Sequence, residues 1–172
     1  PVVTARQPED INEGMRFVEK TSQMFDLMKL AIETDSTRII SLFIDTTVIH
    51  NITHHGGRPE VIAELRGHEE GQFRVLDKFL GSLRQAKEGV ADLLERTQVL
   101  YGTCMGSANS HSNTNLPVLL AGGGFRHGQH LAFDSANNHN LATLYVSMLQ
   151  RLGIEAGSFA SAKSTMRGLE MA

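Results

Sequence analysis

Between residues 24 and 32 the apolar positions return every three or four residues. Phe25, Met28 and Ile32 share one stripe, with Met24, Leu27 and Ala31 beside it. This is the repeat of an amphipathic helix, and it predicts one that opens at Pro8-Glu9-Asp10 and breaks at Thr34-Asp35-Ser36. The pattern then changes. Arg38-Ile39-Ile40-Ser41-Leu42-Phe43-Ile44 is apolar and β-branched with almost no alternation, the composition of a strand covered on both faces, as in a parallel sheet. A polar loop runs from Asp45 to Gly57. Pro59 suits the first turn of a second helix, where a missing N–H costs least. Gly67 is a candidate break within that helix, and Phe73, Leu76, Phe79, Leu80 and Leu83 give it an apolar face.

Further on, Gln98-Val99-Leu100-Tyr101-Gly102 reads as a short strand that enters a polar loop. Leu116-Pro117-Val118-Leu119-Leu120-Ala121 reads as another, closed by Gly122-Gly123-Gly124, whose freedom of φ permits an unusual exit. Leu141, Leu144, Tyr145, Met148 and Leu149 mark a last helix from Asn138 to about Leu152. Helices alternate with strands, which predicts an α/β domain with a mainly parallel sheet flanked by helices. The predicted domain spans residues 8–160, with 161–172 as a tail of no assigned structure. In such sheets functional groups collect in loops beyond the carboxyl ends of strands. The loops 45–57 and 102–115 both leave strands at that end.

Composition narrows the possibilities only modestly. The chain of 172 residues is 41% hydrophobic and 20% charged, which is ordinary for a globular protein. A net charge of −3 without a dense Lys/Arg patch argues against nucleic acid as a partner. No apolar run reaches the length of a membrane span. The single cysteine, Cys104, excludes an intrachain disulfide. Residues 1–6 contain no signal-peptide core, and a chain that begins this way reads as a processed or truncated product.

Histidine carries the candidate chemistry. Of the eight in the chain, His50, His54, His55 and His68 lie close together in sequence, and His111 stands in the second loop. Neutral imidazole binds zinc, iron and similar ions, and carboxylates complete many such sites. Asp45, His50, His54, His55 and His111 are therefore the candidate ligands of a divalent metal, with zinc, manganese or iron as the cofactor. The alternative is that these histidines hydrogen-bond loop backbone, since HExxH and paired CxxC motifs are absent. His68 begins a helical face and reads as structural or exposed. His127, His130 and His139 read as loop residues. Ser107, Ser110 and Ser112 lie near His111 without a GxSxG elbow. Cys104, beside Met105, reads as a small apolar filler rather than an activated thiol.

Four segments carry a family resemblance. They are Thr34-Asp35-Ser36-Thr37-Arg38-Ile39-Ile40, the Thr53-His54-His55-Gly56-Gly57 loop, Val99-Leu100-Tyr101-Gly102 with Met105-Gly106, and His111 through Gly124. Over roughly residues 20–160 the chain resembles the C-terminal region of a bacterial family of unknown function, the domain-of-unknown-function family numbered 1552. That family is distantly similar to alkaline phosphatases, sulfatases and cofactor-independent phosphoglycerate mutases. The resemblance implies a central sheet with helices on both faces, an exported protein, and metal ions held by Asp and His opposite a Ser, Thr or Cys nucleophile. His111, ahead of Pro117, matches a ligand position of the active relatives. Asp45, His50, His54 and His55 fall where a second ligand group is expected.

The departures count against catalysis. Active relatives carry an Asp-His pair after the strand that ends here at Tyr101-Gly102, whereas this chain has Thr103-Cys104-Met105-Gly106. Ser107 stands where closer relatives have an acid. The half of that fold bearing the nucleophile is not in this sequence, and two-metal chemistry needs both ions. The expectation is a non-catalytic domain that serves a partner, or that self-associates through an exposed sheet edge. The alternative is a metal-dependent hydrolase of phosphate or sulfate esters in a longer parent.

Overall fold

The computed structural model describes residues 7–169. The reading of residues 1–6 and the last tail positions, 170–172, lie outside the described residues. The protein is mixed α/β, with helices and two small antiparallel sheets. The described residues divide into two compact units, residues 7–93 with 107–112 and residues 94–106 with 113–169.

In the first unit, a 3-10 turn at Gly14–Arg16 leads into α1, Phe17–Glu33. The helix begins later than the Pro8 opening predicted, but it ends where expected. Asp35 takes a left-handed φ of 53° there, and Ser36 N–H returns to the Ala31 carbonyl. Between α1 and the next long helix lie a 3-10 turn, Thr47–Ile49, and the short α2, His50–Thr53. Helix α3, Pro59–Gln85, starts on its proline and runs unbroken through Gly67. Helices α1 and α3 pack against each other, and α2 packs on α3. Phe25 of α1 stacks on Phe79 of α3 with ring centres 4.7 Å apart. Ile11, Phe17, Ile49, Leu76, Leu83 and Leu93 complete the buried apolar set of this unit. Met24 and Leu27, placed beside the stripe from sequence, are partly exposed instead. After α3, β1 (Lys87–Glu88) and β2 (Ala91–Asp92) form a minimal hairpin.

Residues 38–44 depart from expectation. They form no ladder, and among the described residues no backbone hydrogen bond is made by residues 40–44. Their exposure nevertheless alternates as in a strand. Ile39 is 88% and Phe43 86% exposed, whereas Ile40, Leu42 and Ile44 are half-buried. The composition suits a covered strand, but among the described residues no neighbouring strand supplies the hydrogen bonds that would make it one.

In the second unit, the chain leaves α4, Leu93–Arg96, and enters β3, Gln98–Gly102, which pairs antiparallel with β4, Val118–Gly122. Tyr101 faces Leu119 and Gln98 faces Gly122 in this register. The expected mainly parallel sheet is therefore not what the described residues form. The chain between β3 and β4 folds back without the helical crossover that a parallel pair requires. Helix α5, Ala142–Arg151, buries Thr143, Leu144 and Val146. Gln98 Nε2 donates to the Met148 carbonyl at 3.1 Å, tying β3 to α5. Ala162, in the predicted tail, is buried, and Met166 N–H donates to Ser147 Oγ at 2.9 Å, so the tail packs back on α5.

The Gly122-Gly123-Gly124 exit behaves as its composition predicts, with φ of 73°, 66° and 71°. A Cβ on Gly122 would press into the carbonyl oxygens of both Leu94 and Thr97, well inside van der Waals contact.

Candidate functional site: two histidine loops

The first loop is organised by its own backbone. Asp45 Oδ1 accepts the Thr47 N–H at 2.9 Å, and this hydrogen bond holds the carboxyl below its ordinary range. Buried Ile49 anchors the 3-10 turn. One turn of α2 then spaces His50 and His54 four residues apart on one face. Their rings meet edge to face with centres 4.8 Å apart. His55 turns to local work. Its Nδ1 accepts the Gly57 N–H at 3.1 Å, and its carbonyl receives Arg58 N–H at 3.0 Å.

The second loop is a tight hairpin. Ser107 and Ser112 exchange backbone hydrogen bonds of 3.3 and 3.0 Å, and His111 N–H closes on the Ala108 carbonyl. His111 sits in the left-handed region with φ 53°, uncommon for a residue with a side chain.

The two loops meet at two points. His111 Nε2 lies 3.1 Å from His54 Nε2, with the rings nearly perpendicular at 88° and centres 4.7 Å apart. Gly56 N–H donates to Asn109 Oδ1 at 3.0 Å. The sequence makes the two loops candidates to converge, but by way of a strand at 38–44 that does not form among the described residues. It gives no sign of Asn109, a loop asparagine like several others in this chain.

The five candidate ligands therefore separate. His54 and His111 converge, His50 stands against His54, and Asp45 and His55 serve their own turns. Tetrahedral zinc with Zn–N of about 2.0–2.1 Å sets donor nitrogens roughly 3.3 Å apart, so the His54–His111 spacing suits two ligands of one ion. A closed site needs more. Among the described residues no group of three His, Cys, Asp or Glu side chains is arranged to hold a metal ion. The pair equally forms a direct hydrogen bond, with one Nε2–H donating to the other ring's lone pair.

The remaining histidines are structural where contacts define them. His68 packs on Phe17 at 5.8 Å, His139 stacks on Phe133 at 4.7 Å, and His127 Nε2 reaches the Gly122 carbonyl at 3.0 Å. Cys104 is exposed, not the apolar filler expected. Ser110 Oγ donates to Ser107 Oγ at 2.9 Å rather than facing His111 as a nucleophile would. Among the described residues no helix is long and apolar enough to cross a membrane. Comparison with protein-family models, curated proteins and solved structures gives no match.

Proposed function

We propose that this chain is a non-catalytic module of the alkaline-phosphatase/sulfatase-like kind, whose role is to present a surface to a protein partner. The observation that carries the proposal is the extended segment 38–44, where Ile39 and Phe43 are almost fully exposed. Apolar side chains beside unpaired strand backbone are a surface that another chain covers. The histidine loops fit the same reading, as a clasp that holds hairpin 107–112 against the loop ahead of α3.

The His54–His111 spacing favours one second reading, in which the pair is part of the donor set of a metal-dependent phosphate or sulfate ester hydrolase. One assay separates the two. The purified chain is incubated with p-nitrophenyl phosphate and p-nitrophenyl sulfate, with zinc, manganese or iron(II) added in turn. The module reading expects no turnover above buffer. Turnover that is lost in a His54→Ala/His111→Ala variant overturns it and establishes the hydrolase.

A further inference from the structure

Resting on the module reading, we propose that residues 38–44 pair with the same residues of a second copy, as a two-fold antiparallel strand pair centred on Ser41. The segment is already extended, and its exposure alternates with period two. Strand addition therefore needs little reordering of backbone: the N–H and C=O groups of Ile40 and Leu42, with those of Arg38 and Ile44, supply the ladder. Ile39, whose N–H and C=O meet Thr37 Oγ1, falls in a non-hydrogen-bonded pair.

Charge selects the direction. The apolar run is bounded by Arg38 on its N-terminal side and Asp45 on its C-terminal side, with no charge between. Antiparallel pairing brings Arg38 of one copy to the same end as Asp45 of the other. Parallel pairing would stack Arg38 on Arg38 and Asp45 on Asp45, which is unfavourable. Arg38 already uses Nε and Nη2 on Asp35, so the ends of the pair carry interleaved charges of both signs.

Symmetry then selects the register. Residue pairs in an antiparallel ladder alternate between hydrogen-bonded and non-hydrogen-bonded types. A two-fold axis between the strands must therefore set one residue opposite its own twin. With Ser41 on the axis, Ile39 faces the second copy's Phe43 twice on the exposed side, and Ile40 faces Leu42 on the other. Aromatic and β-branched residues are a favourable cross-strand pair. With Leu42 on the axis, Ile39 would face Asp45 and Ser41 would face Phe43. The first register wins on both counts.

The contact is small. A single strand pair of this length falls below the roughly 1,000 Å² of a stable interface, so the dimer is reversible and concentration-dependent. Sedimentation equilibrium of the full chain tests it, in a Cys104→Ser background for the crosslinking arm. The expected result is a monomer–dimer equilibrium weakened at least about tenfold by Phe43→Lys or Ile39→Lys. Because both side chains are exposed, circular dichroism should match the parent in each variant. Under oxidation Ser41→Cys should give a covalent dimer, since directly opposed Cα atoms lie within disulfide range. A monomer at all concentrations, a dimer indifferent to both lysine variants, or no covalent dimer from Ser41→Cys overturns the self-pairing. None of these outcomes restores ester hydrolysis, so failure here is distinct from failure of the module reading.

Discussion

The Nε2 atoms of His54 and His111 lie 3.1 Å apart, and through this contact the loop after α2 holds the Ser107–Ser112 hairpin. Held as a hydrogen bond, the contact requires opposite tautomers in the two rings. Replacing either ring with alanine should release the hairpin without unfolding the helices. Amide hydrogen exchange is expected to lose protection at His111 and Ser112, while global stability changes by about 1 kcal/mol or less. Unchanged exchange at these amides would mean that the Gly56–Asn109 bond alone holds the loops.

The aromatic stack between α1 and α3 carries far more of the stability. Phe79 is buried to 4% exposure against Phe25. Phe79→Ala leaves a cavity and should cost about 3–5 kcal/mol in denaturant unfolding. Phe73→Ala, on the same helix but largely exposed, should cost well under about 1 kcal/mol.

At Gly122 the backbone tolerates no side chain. Its φ of 73° alone strains an L-residue by roughly 1–3 kcal/mol. The carbonyl oxygens of Leu94 and Thr97 leave no room for a Cβ besides. Gly122→Ala should therefore destabilise the β3–β4 sheet strongly, whereas Gly128→Ala meets only its own φ strain because nothing lies near. Comparing the two melts separates strain from clash.

Asp35 and Arg38 form a bidentate pair of 2.8 and 2.9 Å just after α1, and the Arg38 hydrogen bonds and charge hold the Asp35 carboxyl below its ordinary range. A carboxyl lowered in the folded state adds stability that is complete above its unfolded value, near pH 4, and is lost as pH falls through the folded value. Nothing should change between about pH 6 and 8 for this pair. A carbon-13 titration of Asp35 should find its midpoint lowered, and Arg38→Ala should return it toward the ordinary value.

The helices are legible from their apolar period, because few arrangements besides a helix place apolar residues on a 3.6-residue repeat. The sheet is not. A short apolar run such as Val99-Leu100-Tyr101 reads alike in parallel and antiparallel ladders, and the direction is set by how the chain returns to β4. Residues 38–44 are strand-like in composition and in their alternating exposure, but pairing depends on neighbours that composition does not specify. At the site, the sequence suggests that the two loops converge from two strand ends, but residues 38–44 form no strand among the described residues. The contact of His54 with His111 rests instead on the turn after α2 and the Ser107–Ser112 hairpin. Asp45 and His55 look like companions of that pair in the sequence, yet nearby backbone N–H groups, at Thr47 and Gly57, compete for the same acceptor atoms.

Metal content tests the module reading most directly. The untagged chain is purified, its zinc, manganese and iron are measured, and zinc is then titrated calorimetrically into it and into a His54→Ala/His55→Ala/His111→Ala variant. Two imidazoles without a third donor hold an ion weakly, so the account predicts far less than one equivalent on purification and weak zinc binding that the variant lacks. Near-stoichiometric metal in the parent, absent from the variant, would contradict it and make the two loops a metal centre.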